Sequence, residues 1–336
     1  MGDGLRELAN PRQRIAVRYR RFAEIEAPSR SALYAAITDA VSRHDTVLDF
    51  LAAMPEAKWQ PNLLLGVVRY LFGTAETPRD FIRLVLQHRE EVASVMVSRT
   101  TQTNEPARCA TLLPALARLP QPLALLEVGA AAGLCLLPDY YAYEYGDLRI
   151  APSVSTNVSP PVFPCRAGAT TPLPQRNIAV AWRAGLDLHP VDLGDDAEVR
   201  WLEALVWPGE EYRLPRLRGA CAIARADPPR VVRGDLRTDL PALASEAPAE
   251  ATLVVFHTAV LAYVPDAAER AAFAQTVMES GAVWVANEGP QNIPCTPQRV
   301  MNEHPDRDAF LLSVDGSPTA WTDGHGTWID WRQLPQ

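Results

Sequence analysis

The first third of the chain carries apolar residues at helical spacing and shows no strand-like alternation. Ile15 and Tyr19 recur on one face beside a run of arginines, which predicts an amphipathic helix. Another predicted helix begins at Thr77, because this capping threonine is followed by a proline and, three residues on, by an acid. That helix is predicted to reach about Val97. Residues 1–119 are therefore predicted to form an all-α domain.

The pattern changes at Pro120-Gln121-Pro122, after which short apolar runs alternate with amphipathic segments. The predicted strands are 123–128, 178–186, 230–233, 252–257, 282–286, 310–314 and 319–331. Breaks at Asp315-Gly316 and at Gly324-His325-Gly326 indicate antiparallel strands at a sheet edge in this tail. A helix is predicted from about Leu134, directly after the first strand. Residues 151–176 contain six prolines and are predicted to form a surface excursion or lid. Residues 120–336 are thus predicted to be an open α/β domain with a mostly parallel sheet.

Charge and composition narrow the class of partner. The 336 residues include 32 basic and 40 acidic side chains, and the net charge of −8 disfavours a nucleic-acid or anionic-membrane partner. Lys58 is the only lysine, which excludes a lysine-containing phosphate loop. Five widely spaced cysteines without a CxxC pair are typical of a reducing cytoplasm and encode no local zinc site. No apolar run reaches membrane-spanning length and the arginine-rich start does not resemble a secretory signal, so a cytoplasmic protein is expected. No metal ligands are predicted, and the need for a metal stays open. The oligomeric state stays open.

The strongest chemical signal is a run of small residues between a predicted strand and a predicted helix, Glu127-Val-Gly129-Ala-Ala131-Ala-Gly133. Small residues let the backbone approach a ligand, and the start of a helix offers unpaired N–H groups. Glu127 would repel a diphosphate and attract an ammonium group. The motif therefore disfavours a nicotinamide cofactor and favours S-adenosylmethionine, which carries an amino group and a sulfonium. The alternative is an ordinary tight turn between strand and helix.

Polar residues also end the later predicted strands. Asp187 ends the second strand, Asp235 follows the third, His257 ends the fourth and Glu288 follows the fifth. Open α/β sheets bind ligands at the carboxyl ends of their strands, so these residues are predicted to line one site. There Asp187 would accept both hydroxyls of a ribose, and Asp235 would hold an adenine amino group. Each acid alone is equally typical of a helix cap or a solvated turn.

Several stretches of the sequence form a specific set that covers most of the chain. They are Gln102-Thr-Asn104-Glu105-Pro-Ala-Arg108, Glu127-Val-Gly-Ala-Ala-Ala-Gly-Leu, Arg183-Ala-Gly-Leu-Asp-Leu-His-Pro-Val-Asp192, Arg200-Trp-Leu with Val206-Trp-Pro, His257-Thr-Ala-Val-Leu-Ala-Tyr263, Asp315-Gly316, Ala320-Trp321-Thr322 and His325-Gly-Thr-Trp. By this set the chain resembles the bacterial domain of unknown function 2332 family. Residues 123–331 also resemble class I S-adenosylmethionine-dependent methyltransferases. The second resemblance implies a Rossmann-like sheet of seven strands, completed by two terminal strands and preceded by the all-α domain.

The methyltransferase resemblance implies a binding site for S-adenosylmethionine. It implies Glu127, Gly129, Ala131 and Gly133 around the methionine moiety, Asp187 at the ribose, and Asp235 with Leu236 near the adenine. Ala131 stands where the family's motif has its central glycine. Asp187 follows Gly133 by 54 residues rather than roughly 20, which the proline-rich excursion accounts for. Alternatively, Glu144 or Asp147 would take the ribose role.

His257 is the predicted catalytic residue, because the end of the fourth strand would lie beside the methyl donor. At that position His257 would also contact the cofactor. Tyr263, Glu288 and His325 are the further catalytic candidates. The alternatives are a His257 satisfied by loop backbone and a His325 that is a simple turn residue between two glycines.

The polar segment before the first strand supplies the candidates for the small-molecule acceptor, Gln102, Asn104, Glu105 and Arg108. An alternative for Asn104 is the cap of a helix that begins at Pro106. Taken together, the sequence predicts a cytoplasmic S-adenosylmethionine-dependent methyltransferase of a small molecule. Two alternatives stay open: an enzyme that uses the same cofactor for another reaction, and an inactive nucleoside-binding or regulatory protein.

Overall fold

The computed structural model describes residues 10–102, 104–294, 296–303 and 308–332. The chain divides into two compact units. The first takes in the chain up to Thr103 together with Asp195–Leu214, and the second takes in Asn104–Gly194 together with Pro215–Gln336. No helix among the described residues is long and apolar enough to cross a membrane.

The α-helices of the described residues are α1 Pro11–Arg21, α2 Ala32–Ser42, α3 Asp45–Ala52, α4 Pro61–Phe72, α5 Pro78–Gln87, α6 Arg89–Ser98, α7 Arg108–Leu116, α8 Asp196–Ala204, α9 Arg213–Ala226, α10 Leu240–Ala244, α11 Ala267–Glu279 and α12 Gln298–Asn302. The helical N-terminal region predicted from the sequence is confirmed. By the division into units, α8 belongs with α1–α6, and α7 belongs with the sheet.

Side-chain caps start several helices of the first unit, including the helix that the sequence predicts to begin at Thr77. Asn10 accepts a hydrogen bond from the Arg12 amide at 2.9 Å, and Thr77 Oγ1 accepts one from the Asp80 amide at 3.1 Å. The helix predicted from Thr77 to about Val97 is interrupted at His88, whose backbone leaves the helical region at φ −116° and ψ 37°. The segment therefore forms α5 and α6 rather than one helix.

The strands are β1 Leu123–Val128, β2 Ala142–Tyr145, β3 Leu148–Ile150, β4 Val162–Pro164, β5 Arg166–Ala167, β6 Val180–Asp187, β7 Arg230–Arg233, β8 Thr252–Thr258, β9 Val283–Glu288, β10 Ala309–Val314, β11 Ser317–Asp323 and β12 Trp328–Trp331. The large sheet has nine strands in the order β5-β12-β11-β10-β9-β8-β1-β6-β7. Strands β7, β6, β1, β8 and β9 are mutually parallel, as predicted, and β10, β11 and β12 follow as an antiparallel meander.

The predicted arrangement of seven strands is wrong in its count and in its edge. The predicted break at Gly324-His325-Gly326 is confirmed as the turn Gly324–Thr327, which makes two antiparallel strands, β11 and β12, of a segment that the seven-strand arrangement counts as one. The short strand β5, which lies in the proline-rich excursion, pairs with β12 and adds a ninth strand. The division of β11 from β12 is a local turn, whereas the pairing of β5 with β12 joins segments that are far apart in the chain.

The helix predicted from Leu134 does not form. The chain instead makes two short 3₁₀ turns, Leu134–Leu136 and Pro138–Tyr140, and then enters a small sheet of order β3-β2-β4. Pro138 disfavours an α-helical conformation in the residue before it, which breaks a helix at its first turn. The connection between β1 and β6 is thus irregular, and it begins before the predicted excursion at residue 151.

Strand β1 lies at the centre of the parallel part, and all six of its residues are buried. The chain proceeds from β1 to β6 on one side and later places β8 on the other side. This reversal is a topological switch point, where the carboxyl ends of neighbouring strands diverge and leave a crevice. Glu127 near the end of β1 and Thr258 at the end of β8 both lie at this edge of the sheet.

Candidate functional site

The loop after β1 has an unusual backbone conformation. Gly129, Ala131 and Gly133 have φ values of 71°, 48° and 69°, so every second residue is left-handed. A side chain at Gly129 would overlap the methyl groups of Val260, because Val260 packs directly against the glycine Cα. Glycine is therefore required at 129 both by the backbone conformation and by the close approach of a neighbouring loop.

The amide groups of this loop are held by residues of the same unit. The Ala131 amide donates to Asp187 Oδ2 at 2.8 Å, and the Ala132 amide donates to Asn104 Oδ1 at 2.9 Å. The Gly129 amide donates to the Leu186 carbonyl at 2.8 Å. Because no α-helix follows the loop, it does not present the helix N-terminus on which dinucleotide sites bind a diphosphate.

Glu127 is a buried carboxylate without a hydrogen-bond donor. The residue is only 4% exposed, and neither carboxylate oxygen accepts a hydrogen bond from the described residues. Burial raises the pKa of Glu127 well above its ordinary value, and the neighbouring Cys135 and Asp187 raise it further, while the charge of Arg108 lowers it. The site therefore contains a buried acid whose ionised form receives no hydrogen bond within the described part of the chain.

Arg108 is the first residue of α7 and is also only 4% exposed. Its Nε donates to the Gly324 carbonyl at 2.8 Å, and its Nη1 donates to the carbonyl and hydroxyl oxygens of Thr258, both at 3.1 Å. All three acceptors are neutral. Within the described residues the guanidinium has no carboxylate at ion-pair distance, and its Nη2 donates to no acceptor.

Asn104 and Glu105 hold the segment that leads into α7. Asn104 binds the glycine loop through its Oδ1, while its Nδ2 is buried and has no hydrogen-bond partner. Glu105 Oε1 accepts a hydrogen bond from the Ala107 amide at 3.1 Å, and its Oε2 lies 3.8 Å from His325 Nδ1. The alternative role of Asn104 as a cap at Pro106 does not apply, because α7 begins at Arg108. Gln102, the remaining residue predicted to bind the acceptor, belongs to the first unit, whereas Asn104, Glu105 and Arg108 belong to the second.

Asp187 supports the loop through both carboxylate oxygens. Besides the bond from Ala131, its Oδ1 accepts a hydrogen bond from the His189 amide at 2.7 Å. The alternative acids lie elsewhere: Glu144 is in β2 of the small sheet, 3.5 Å from Arg149, and Asp147 is in the turn that follows β2. Asp187 is thus the acid, among these three, that contacts the glycine loop.

Asp235 and Leu236 follow β7 at the same edge of the sheet. The carboxylate of Asp235 forms an ion pair with Arg237 at 2.5 Å, and hydrogen bonding from Arg237 lowers the pKa of Asp235. Arg237 also reaches Glu269 at 3.2 Å. Leu236 is half-buried and packs against the apolar core of the sheet. The charge of Asp235 is therefore already compensated by a neighbouring cation.

His257 lies in a fully buried hydrogen-bonded network. Its Nε2 is 2.9 Å from Trp284 Nε1, and its Nδ1 is 2.7 Å from Glu288 Oε1. An indole N–H only donates, so His257 Nε2 is the acceptor, and the proton lies on Nδ1 and is donated to Glu288. Glu288 Oε1 also accepts hydrogen bonds from the Val260 and Leu261 amides at 2.7 and 3.2 Å. The network holds the turn that places Val260 against the glycine loop.

The remaining catalytic candidates differ in exposure. Tyr263 is 66% exposed in a short 3₁₀ turn after β8. His325 is half-buried in the turn between β11 and β12, where its amide donates to Asp323 Oδ2 at 3.1 Å. The side chain of His325 faces Glu105 rather than His257. His257 and His325 are therefore engaged by two different acids.

The structure brings most of the predicted residues to one place and leaves a few outside it. The residues linked by contacts around the glycine loop and the start of α7 are Asn104, Glu105, Arg108, Glu127, Gly129, Ala131, Gly133, Asp187 and His325. Sequence reasoning missed Thr258 and Gly324, which hold Arg108 from positions 150 and 216 residues away. No local pattern signals such contacts.

Within the described residues, no group of three or more acid, histidine or cysteine side chains is arranged to hold a metal ion.

The fold defines a class of protein: a mixed α/β chain with a helical N-terminal region, a mostly parallel sheet and a polar site at the carboxyl ends of its central strands. The chain belongs to the family described as "Uncharacterized protein conserved in bacteria (DUF2332)", whose model matches residues 16–331. Comparisons with curated proteins and with solved structures returned no match. The methyltransferase resemblance therefore stays a prediction.

Proposed function

We propose that this protein is an S-adenosylmethionine-dependent methyltransferase that acts on a small molecule. One observation carries the proposal: Glu127 is a buried carboxylate that receives no hydrogen bond from the described residues. A buried charge without a partner costs several kcal/mol by order of magnitude, and a bound cation offsets that cost. The ammonium group of S-adenosylmethionine is a cation of suitable chemistry.

Other residues of the site suit the rest of this cofactor. Each oxygen of Asp187 accepts one backbone hydrogen bond and keeps a further lone pair for a ribose hydroxyl. The glycines on both sides of Ala131 leave room for close approach of a ligand to the backbone. Leu236, beyond the end of β7, offers apolar contact to an adenine ring. When bound, the cofactor supplies a methyl group on a sulfonium, which a nucleophile accepts directly.

The proposed roles of the histidines differ from those expected from the sequence. Both ring nitrogens of His257 already have protein partners, so we assign His257 and Glu288 to positioning of the Val260 turn. His325 is the proposed general base for an acceptor that carries a proton. Its pairing with Glu105 at 3.8 Å would orient the ring and stabilise a protonated imidazole. Tyr263 remains a candidate for contact with the acceptor.

A second candidate function is a binding protein that holds the nucleoside without turnover. The engagement of both nitrogens of His257 favours it, because the histidine nearest the central strands has no free nitrogen for proton transfer. This candidate predicts the same ligand and no release of S-adenosylhomocysteine.

Titration calorimetry of the full chain with S-adenosylmethionine and S-adenosylhomocysteine tests the proposal. Both ligands are expected to bind. Glu127→Gln should weaken the binding of each by about 10- to 100-fold, the usual value of a charge-assisted hydrogen bond. The matched control is Glu250→Gln, because Glu250 is an exposed acid of the second unit. Absence of heat with both ligands would refute the proposal, and binding without formation of S-adenosylhomocysteine in a metabolite extract would favour the second candidate.

A further inference from the structure

The site contains a second buried charge, of opposite sign, that the proposed function leaves without a role. Arg108 and Glu127 are each only 4% exposed, and among the described residues they do not form an ion pair with each other. Glu127 pairs with Phe256 across β1 and β8. Arg108 binds Thr258, two residues further along β8, so both groups lie at the same end of these neighbouring strands. In agreement with this placement, the charge of Arg108 lowers the pKa of Glu127. Two opposite charges that are buried near one another and kept apart are complementary to a ligand that carries both charges.

The hydrogen bonds of Arg108 leave part of the guanidinium available. Nε and Nη1 are fixed by the Gly324 carbonyl and by Thr258, which hold the group in one orientation. Nη2 donates to no acceptor among the described residues. Because Nε and Nη1 are held by different acceptors, the remaining nitrogen, Nη2, can still donate a charge-assisted hydrogen bond to a carboxylate.

Asn104 provides an independent indication of a ligand acceptor beside the glycine loop. Its Oδ1 is held by the Ala132 amide of the glycine loop, which fixes the side chain with Nδ2 as its free end. Nδ2 is buried and donates to no acceptor. Buried donors without partners are uncommon in folded proteins, and an acceptor on a ligand would satisfy this one.

We propose that Arg108 and Asn104 bind the carboxylate of the same ligand whose ammonium group Glu127 binds, so that the site recognises the amino-acid end of its ligand by both charges. The inference rests on the proposed function and assigns these two residues to the cofactor rather than to the acceptor. In an α-amino acid the two charged groups are attached to one carbon atom. Groups that bind them must therefore lie close together, and Glu127, near the end of β1, directly precedes the glycine loop to which Asn104 is hydrogen-bonded.

The test compares S-adenosylmethionine with decarboxylated S-adenosylmethionine, which keeps the ammonium and the sulfonium but lacks the carboxylate. Calorimetry with the unmodified protein is expected to show about 10- to 100-fold weaker binding of the decarboxylated ligand. This arm needs no variant, so it does not depend on whether a substituted protein folds.

Arg108→Lys and Asn104→Ala form the second arm. Each variant should weaken binding of S-adenosylmethionine and leave binding of the decarboxylated ligand nearly unchanged, because the lost contact is absent from that ligand. Arg118→Gln is the matched control, since Arg118 is an exposed arginine that follows the opposite end of α7. It should affect neither ligand.

The outcomes separate the two proposals. If neither ligand binds the unmodified protein, both proposals fail. If both ligands bind with equal affinity, the proposed cofactor stands and the carboxylate site is refuted. Equal weakening of both ligands by Arg108→Lys would also refute it, because that result indicates a structural role for the hydrogen bonds to Thr258 and Gly324.

Discussion

Replacement of Glu127 by glutamine is expected to stabilise the protein while it weakens the binding of a cation. Burial raises the pKa of Glu127 well above its ordinary value. As pH rises past about 4.5, the unfolded chain loses this proton while the folded chain keeps it. The stability that the protonated group contributes is therefore fully present below the ordinary glutamate pKa and is lost as pH rises through the folded pKa.

The expected magnitude follows from the surroundings of the carboxylate. A buried polar group without a hydrogen bond costs about 1–3 kcal/mol, and each unit of raised pKa corresponds to about 1.4 kcal/mol. Glutamine has nearly the same shape and no charge. The free energy of unfolding of Glu127→Gln should therefore exceed that of the parent by about 1–3 kcal/mol at high pH, with the difference vanishing near the ordinary glutamate pKa.

Differential scanning calorimetry over a series of pH values measures this difference. A gain of 1 kcal/mol raises Tm by roughly 2–4 °C for a domain of about 150–250 residues. Glu250→Gln, an exposed control in the same unit, should give no comparable pH-dependent gain. An unchanged or lower Tm for Glu127→Gln at high pH would contradict the reasoning, because it would mean that the ionised carboxylate is compensated within the protein.

Three further predictions concern the framework of the site. Gly129→Ala should destabilise the protein by about 1–3 kcal/mol more than Gly146→Ala, because both glycines are left-handed but only at Gly129 would an added methyl group overlap a neighbouring side chain. Urea unfolding of the two variants measures the difference, and equal losses of stability would refute the steric argument. Asp139→Asn disrupts the two hydrogen bonds between the buried Asp139 carboxylate and Arg183, and it should lower the free energy of unfolding by about 3–5 kcal/mol. Glu246→Gln, in the exposed pair with Arg230, should lower it by less than about 1 kcal/mol. The same urea unfolding assay should separate the two variants clearly. Burial raises the pKa of Cys165 to about 12, so its thiol should resist iodoacetamide at neutral pH until the protein is unfolded, and mass spectrometry that finds rapid native modification would disprove this.

The strands of the parallel sheet and many helix ends were predictable because local patterns encode them. Strand β1 is a continuous apolar run, as expected for a strand covered on both faces, and Thr77 caps α5 through contacts within four residues. The interruption at His88 and the missing helix after Gly133 depend on backbone conformations that hydrophobic periodicity does not report. Length and composition likewise do not show that residues 195–214 belong with the N-terminal helices.

The acids at the strand ends were visible in the sequence, since a polar residue that terminates an apolar run is a local signal. Glu127 and Asp187 are such residues, and the fold places both beside the same loop. Their states were not visible: Asp187 is held by backbone amides, while Glu127 has no donor. The partners of Arg108 come from segments 150 and 216 positions away. Local patterning determines which side chains are buried, but long-range packing decides which of them find a partner, and that choice gives the site its unpaired charges.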